Sequence, residues 1–245
     1  MIDFHSHILP GIDDGARTVE DSLFLIDTMH SLGAAHIVLT PHFYPGQKSI
    51  NSFVASRDAA CKLLAEELRK KHIDVPKLHL GSEVYLEQII FNYDDLTQLT
   101  IDLGGKFILT ELPYNEELTS STISMLNNLV YSYNLIPILA HIDRYPFLLK
   151  EKTLVSLLNM GCIAQINVSA LTKFFTRKKL IKYLEKGYIG VIGSDIHNKS
   201  YITDIKSGLS YMNNDDLEYI TEISKGILKT VKKDSDFVEK DIIVD

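Results

Sequence analysis

The chain has 245 residues, of which 45% are hydrophobic and 23% are charged, a balance that is ordinary for a globular enzyme. The 25 lysines and arginines face 32 aspartates and glutamates, and the net charge of -7 argues against a nucleic-acid backbone as the main partner. No apolar run approaches the roughly 20 residues of a membrane span, so we expect no membrane insertion.

The expected location follows from the first residues and from the cysteines. Met1 to His5 contain neither the basic segment nor the apolar stretch of a signal peptide. The two cysteines, Cys61 and Cys162, lie where buried thiols are expected, so we predict no disulfide and a reducing compartment. These features predict a cytoplasmic protein and leave its oligomeric state open.

Seven short segments rich in β-branched or apolar residues are predicted to be buried strands. In chain order they are Ile2–His5, Ala35–Thr40, Leu78–Glu83, Phe107–Glu111, Ile136–His141, Ile163–Val168 and Ile189–Gly193.

Helical patterns occupy most of the intervals between these strands. The clearest covers Val19–Leu32, because Thr18 and Asp21 form a capping-box-like start and Gly33 provides a stop. The other predicted helices are about Ser52–His72, Ser121–Tyr133, Lys152–Met160, Thr172–Glu185 and Asp215–Val231.

The alternation of strand and helix predicts an α/β fold with a parallel sheet and right-handed crossovers. Seven units favour a closed or nearly closed (β/α) barrel, although a doubly wound open sheet would give the same pattern. Neither a linker nor a repeat interrupts the chain, so we expect a single domain over residues 1–245.

Histidine, aspartate and glutamate residues follow the ends of most predicted strands. Parallel strands point the same way, so these side chains should converge on the face where α/β barrels carry their active sites. Bound divalent cations explain such a mixture of imidazoles and carboxylates, and so many ligands favour two or three ions of Mn, Fe or Zn. The residues are His5, His7, Asp13, Asp14, His42, Glu83, Glu111, His141, Asp195 and His197.

Each of these residues also has a structural explanation when it is taken alone. Asp195 could cap a helix, and Glu83 and Glu111 could be solvated strand ends. The pattern over successive strands favours the metal site over all these explanations together. The histidines in helices or at strand starts are expected to be structural: His30, His36, His72 and His79.

Two arginines are candidates for binding substrate. Arg144 lies three residues after His141, where its guanidinium could clamp a phosphate or instead pair with Asp143 or a nearby glutamate. Arg17 follows Asp13-Asp14-Gly15-Ala16 and is a weaker candidate.

In these motifs and their order, the chain resembles the polymerase and histidinol phosphatase (PHP) superfamily. Within that superfamily it looks like the bacterial manganese-dependent protein-tyrosine phosphatases of capsule and exopolysaccharide loci. The motifs that carry this resemblance are Ile2-Asp3-Phe4-His5-Ser6-His7-Ile8, Asp13-Asp14-Gly15, Ala140-His141-Ile142-Asp143-Arg144-Tyr145, Met160-Gly161-Cys162, Gln165-Ile166-Asn167 and Ser194-Asp195-Ile196-His197-Asn198.

The resemblance implies a distorted seven-stranded (β/α) barrel that holds three metal ions, with Mn expected and Fe or Zn as alternatives. One ion would be held by His5, His7, Glu83 and Asp195. A second would take Glu83 as a bridge together with Glu111 and His141. The third would take Asp14, His42 and His197, although Asp13 is adjacent to Asp14.

The implied activity is hydrolysis of phosphotyrosine, with a bacterial tyrosine kinase that controls capsule or exopolysaccharide synthesis as the expected partner. Arg144 would stabilise the phosphoryl group, and Asp13 or a water molecule would donate a proton to the leaving group. Neither Cys61 nor Cys162 begins a Cys-x5-Arg loop, which argues against a thiol phosphatase. A histidinol-phosphate-type phosphatase, a nuclease and a non-catalytic kinase-binding regulator remain alternatives.

Overall fold

The computed structural model describes residues 1–71, 75–115 and 117–229. Its strands are β1 (Ile2–Ser6), β2 (His36–Leu39), β3 (His42–Phe43), β4 (Lys77–Leu80), β5 (Glu83–Tyr85), β6 (Phe107–Glu111), β7 (Ile136–Leu139), β8 (Ile163–Asn167) and β9 (Ile189–Gly193). Its α-helices are α1 (Val19–Ser31), α2 (Ile50–Lys71), α3 (Ser120–Asn127), α4 (Glu151–Met160), α5 (Phe174–Glu185), α6 (Ile202–Leu209) and α7 (Asn214–Lys229).

The strands form two parallel sheets. One has the order β1-β2-β4, and the other has the order β3-β5-β6-β7-β8-β9. The prediction of an α/β fold with parallel strands is confirmed. The closed seven-stranded barrel is not confirmed, because neither sheet closes on itself among the described residues.

Two predicted strands are divided in the structure. The predicted strand Ala35–Thr40 gives β2 and the short β3, and Leu78–Glu83 gives β4 and β5. Pro41 has no N–H to donate to a neighbouring strand, and the Thr40 hydroxyl accepts the N–H of Ser6 at 3.0 Å. The run of β2 is therefore interrupted at Pro41, although the backbone N–H groups of Thr40, Gly81 and Glu83 still donate to the carbonyls of Ser6, Leu39 and Pro41.

The helix predictions hold where end signals are present. Thr18 and Asp21 form the reciprocal capping box that begins α1. Helix α4 ends at Gly161, whose φ of 107° is the left-handed conformation that glycine adopts without strain. The predicted helix over Ser121–Tyr133 changes to a π-helical turn at Asn128–Ser132.

Helix α6 was missed, and it is held closely against the chain that follows β8. It has eight residues, too few for a reliable helical period in the sequence. His72 and the predicted residues beyond Lys229 lie outside the described residues. No helix within the described ranges is long and apolar enough to cross a membrane.

A pair of glycines tests the tight contact of α6. A Cβ on Gly208 would lie 2.0 Å from the carbonyl oxygen of Val168, whereas a Cβ on Gly226 in α7 would meet nothing within 4 Å. We expect Gly208→Ala to lower the free energy of unfolding by about 1–3 kcal/mol. Gly226→Ala should raise it by about 0.5–1 kcal/mol, because alanine has the higher helix propensity. Urea unfolding measures both, and equal effects would contradict the packing described.

Candidate metal centre

The predicted residues converge at the carboxyl ends of the strands. His5 lies in β1, Glu83 begins β5 and Glu111 ends β6. His141 and Asp195 lie two residues after the ends of β7 and β9. Both have left-handed backbones, with φ of 32° and 51°. All five side chains are buried or nearly so.

Four donor atoms surround one point in the cluster. His5 Nε2 lies 3.0 Å from His7 Nε2, 3.1 Å from Glu83 Oε2 and 3.4 Å from Asp195 Oδ1. His7 Nε2 lies 3.3 Å from each of the two carboxylate oxygens. Ligands about 2.1 Å from one cation are separated by about 3.0–3.4 Å in tetrahedral or octahedral geometry. The spacing of the four atoms therefore fits a single divalent ion.

Hydrogen bonds on the far side of three imidazole rings leave their Nε2 atoms as acceptors. Nδ1 of His7 donates to Asp13 Oδ2 at 2.8 Å, and Nδ1 of His197 donates to the carbonyl of Asp195 at 2.9 Å. Nδ1 of His5 faces the amide oxygen of Gln165 at 3.3 Å. A neutral imidazole fixed in this way presents the lone pair that a metal ligand needs.

Other groups of donors lie on either side of this point. His141 Nε2 is 2.9 Å from Glu83 Oε1 and 3.6 Å from Glu111 Oε1. Asp14 Oδ1 is 3.6 Å from His42 Nε2 and 3.5 Å from His197 Nε2. Asp14 is the exposed member, with 73% of its side chain accessible. The donor atoms also group His42 with Glu83 and Glu111, a combination that the sequence analysis did not give.

Buried atoms without hydrogen bonds support metal binding. Glu83 Oε2 and His42 Nδ1 lie 2.9 Å apart, yet within the described residues neither makes a hydrogen bond. A buried carboxylate oxygen left in this way is costly. Divalent cations would satisfy it, so the residues fit a metal centre.

The pKa shifts show how negative the cluster is. Burial works to lower the pKa of His7, but its hydrogen bond to Asp13 and the nearby carboxylates of Asp195 and Glu83 outweigh it and hold that pKa well above its usual value. Burial works to raise the pKa of Glu83, but the charge of His5, the hydrogen bond from His141 and the contact with His42 hold it well below the usual range. The surroundings therefore favour positive charge at the centre of the cluster.

Asp13 and Asp14 have different surroundings. The Asp13 carboxylate accepts from His7, from the N–H of Gly15 at 2.9 Å and from the N–H of His42 at 3.1 Å. Burial works to raise the pKa of Asp13, but the bond and charge of His7 lower it to about 2. These contacts favour an orienting role for Asp13 over proton donation, and they leave Asp14 to face the other histidines.

Gly15 makes this loop possible. A Cβ on Gly15 would lie 2.1 Å from the carbonyl oxygen of His7. The loop folds back on the end of β1, where the N–H of Ala16 donates to the same carbonyl at 2.9 Å. A side chain at this position would displace Asp13 from His7.

Both candidate arginines lie at the rim. Arg144 pairs with Asp195 Oδ2, and 35% of its side chain is exposed. Burial works to lower its pKa, but the charge of Asp195 raises it. Arg17 is exposed and lines a cleft of about 430 Å³ with Asp14, His197 and Lys199. Lys199 was not singled out from the sequence, because a lone lysine after the Asp-x-His motif carries no pattern.

A chain of amide side chains beneath the site was also missed. Gln165 Oε1 accepts the N–H of His141 at 2.6 Å, and Gln165 Nε2 donates to Asn167 Oδ1 at 3.0 Å. Asn167 Nδ2 then donates to Asp195 Oδ2 at 2.7 Å. The sequence does contain a signal for this chain, because Gln165 and Asn167 occupy alternate positions of a buried strand and so lie on the same face of the sheet.

Among the described residues, the other histidines lie apart from this cluster. His36 begins β2 and contacts His79 at 2.9 Å, and His79 in turn contacts Asp102. His30 lies in the last turn of α1. Their placement agrees with the expectation of structural roles, which stays a prediction.

The chain is therefore an α/β protein of parallel strands, with a cluster of histidine and carboxylate side chains that could hold metal at the carboxyl ends of those strands. A family model described as capsular polysaccharide synthesis, CpsB/CapC, matches residues 1–224. The chain belongs to the CpsB/CapC family.

Two similar proteins from bacteria are named as tyrosine-protein phosphatases. The tyrosine-protein phosphatase CpsB of Streptococcus agalactiae is 30% identical over 207 residues, which cover 81% of this chain and 83% of that protein. The tyrosine-protein phosphatase YwqE of Bacillus subtilis is 29% identical over 209 residues, covering 81% and 78%.

The fold also matches a crystal structure from a study of YwqE from Bacillus subtilis and CpsB from Streptococcus pneumoniae, described as unique metal-dependent tyrosine phosphatases. The TM-score is 0.76 at 23% identity, and the match covers 95% of this chain and 96% of that one.

Metal binding should stabilise the fold, because cations would offset the repulsion between the buried carboxylates. We expect Mn²⁺ added to chelator-treated protein to raise the free energy of unfolding by about 2.7 kcal/mol at a hundred times its Kd. Glu83→Gln should abolish most of this gain, and His30→Ala on α1 is the matched control. An equal gain in all three proteins would contradict the metal centre.

Proposed function

We propose that this chain is a metal-dependent protein-tyrosine phosphatase, and that it acts on a phosphorylated bacterial tyrosine kinase of capsule or exopolysaccharide synthesis. The observation that carries the proposal is the set of metal-ligand atoms around Glu83, with a partly exposed arginine at its edge. Membership of the CpsB/CapC family and the names of the similar proteins support it.

We propose three metal ions, with manganese as the physiological metal. His5, His7, Glu83 and Asp195 would hold one; Glu83, Glu111 and His141 the next; and Asp14, His42 and His197 the third. Nitrogen and oxygen donors without thiolate suit Mn, Fe or Zn. Bound there, divalent ions would lower the pKa of water and offset charge on the phosphoryl oxygens.

The residues of the chain would position the substrate. The Arg144 guanidinium at the rim would hold non-bridging phosphate oxygens by paired hydrogen bonds, while its contact with Asp195 keeps it beside the centre. Arg17 and Lys199, at the cleft next to Asp14 and His197, would supply further positive charge. Asp13 would orient His7, and a water molecule is then the better candidate for protonating the leaving group.

Tyrosine side chains around the mouth favour an aromatic substrate. Tyr44 stacks on His42 with ring centroids 5.3 Å apart and lies 5.7 Å from Tyr85. On the other side Tyr114, which is 60% exposed, packs 5.2 Å from Tyr145. Offset or tilted rings at these distances are favourable, so the mouth suits the phenyl ring of phosphotyrosine.

Neither thiol is suited to nucleophilic catalysis. Cys61 and Cys162 are buried, and burial raises the pKa of Cys162 to about 12. A thiolate nucleophile requires the opposite shift.

We also propose that the two sheets form one distorted barrel in a single domain over residues 1–245. Across the breaks in the chain, the N–H of Gly81 donates to the carbonyl of Leu39, and the N–H of Glu83 donates to that of Pro41. Strands β2 and β3 can therefore be treated as one interrupted strand, and β4 and β5 as another. At the other edge, an isolated bridge joins Ser6 to Ile196. These bonds support a seven-stranded arrangement in which β9 returns to β1.

The first test is hydrolysis of a phosphotyrosine peptide by metal-stripped protein with Mn²⁺ added back, with histidinol phosphate as the competing substrate. We expect release of phosphate from the peptide only with metal, and its loss in His141→Ala but not in His30→Ala. Activity on histidinol phosphate alone would replace the proposed substrate with a small molecule. Metal binding without hydrolysis of either would indicate a non-catalytic regulator.

A second test concerns Arg144. Arg144→Lys keeps the charge but removes the planar pair of donors, so we expect kcat/KM to fall about 10-fold, and about 100-fold for Arg144→Ala. Metal content should be measured in parallel, because Arg144 also contacts Asp195. Arg177→Lys on α5 is the matched control. Unchanged kinetics at full metal content would remove Arg144 from the proposed mechanism.

A further inference from the structure

A strongly basic and aromatic surface lies on α5, outside the metal centre. Residues 173–186 carry six lysines and arginines and a single acidic residue, in a chain whose net charge is -7. The helix packs on the core through Leu180, Tyr183 and Leu184. Its opposite side is therefore turned to solvent, and we name it the α5 surface: Lys173, Phe174, Phe175, Lys178, Lys179 and Lys182.

Two adjacent phenylalanines project from this surface. Phe175 is 91% exposed, more than any other large apolar side chain among the described residues. Phe174, at 68%, ranks third after Tyr131 at 73%. The two phenylalanine rings meet edge to face with centroids 5.5 Å apart. Exposed apolar side chains held together in this way are typical of a surface that binds a membrane or another protein.

The lysines around the phenylalanines are only partly neutralised within the chain. Lys182 and Lys186 pair with Glu151. Arg177 stacks on Tyr211, with its guanidinium carbon 4.0 Å from the ring centroid. Lys173, Lys178 and Lys179 are exposed beside the rings. A helix with protruding aromatic residues among lysines complements an anionic bilayer. The rings suit its apolar interior, and the lysines carry charge opposite to that of its headgroups.

We propose that the α5 surface docks the protein peripherally on an anionic phospholipid bilayer. Phe174 and Phe175 enter the interface, and the lysines contact the headgroups. Phe174 and Phe175 border a depression of about 880 Å³ that is lined by residues of α5 alone. Among the described residues no second element forms an opposite wall, so the surface suits insertion into lipid better than capture of a peptide in a concave site. This inference concerns binding alone, so it does not depend on the reaction proposed above.

The position of this surface relates it to the metal centre. A cleft of about 270 Å³ is lined by Arg144 and Asn167 and also by Lys173, the residue before Phe174. Docking through α5 would therefore bring the mouth of the centre close to the bilayer. Substrates held at a membrane would then be reached more readily than free ones.

The test is sedimentation of the full chain with vesicles of phosphatidylcholine alone or mixed with phosphatidylglycerol. We expect binding only to the mixed vesicles, and its loss as salt is raised, because screening weakens attraction between exposed charges. The double variants Phe174→Ala/Phe175→Ala and Lys178→Glu/Lys179→Glu should each lower the partition coefficient at least about tenfold. Tyr131→Ala, and Lys62→Glu with Lys106→Glu, are matched controls elsewhere on the surface.

Several outcomes would overturn the proposal. One is failure of the unaltered protein to sediment with the mixed vesicles, and another is an equal loss in the control variants. Concentration-dependent dimerisation that is abolished by Phe174→Ala/Phe175→Ala, without vesicle binding, would assign the surface to a second copy of the chain. Binding to an acidic tyrosine-containing polypeptide but not to vesicles would assign it to a protein partner. Phosphatase activity on a soluble peptide should be unchanged in the α5 variants, which separates this test from the earlier ones.

Discussion

The buried carboxylate of Glu83 is the charge on which the rest of the site depends. It lies at the start of a strand with almost no access to water, and imidazoles approach both of its oxygens: His141 on one, and His5, His7 and His42 on the other. A carboxylate buried in this way is stable only with positive charge around it. Histidines at or close after the ends of several other strands could bind the same cations as Glu83, so the fold and the proposed chemistry both depend on this residue.

Around this charge, a second layer of hydrogen bonds fixes the direction of the ligands. Asp13 holds His7 from one side, and Gln165 contacts both His5 and the backbone of His141 from the other. The amide of Asn167 reaches the carboxylate of Asp195. Partners of this kind set the tautomer of a ligand and its basicity, so they matter nearly as much as the ligands themselves.

The sequence was informative where a local signal exists. The capping box at Thr18 and the glycine stop at Gly33 gave the ends of α1 within a residue, and the strand ends gave a set of residues that the fold does bring together. Other features depend on contacts between distant parts of the chain. The division of the strands at Pro41 and the short helix α6 have no periodic signature, and the alternate amides Gln165 and Asn167 do not by themselves show which side chains they contact. Closure of the sheets is likewise a matter of tertiary pairing, which strand count alone does not determine.

His141 and Asp195 have left-handed backbones, so the residues that the site needs at these positions are not chosen for backbone stability. Residues other than glycine, asparagine or aspartate are rarely stable in that conformation, so the strain, of order 1–3 kcal/mol, falls mainly on His141. Sequence optimisation guided by stability alone would therefore tend to replace His141 with glycine and gain a firmer but inert scaffold. Any effort to make a thermostable variant must exempt these two positions and seek its improvements on the outer helices, where conformational preference and ligand geometry do not compete.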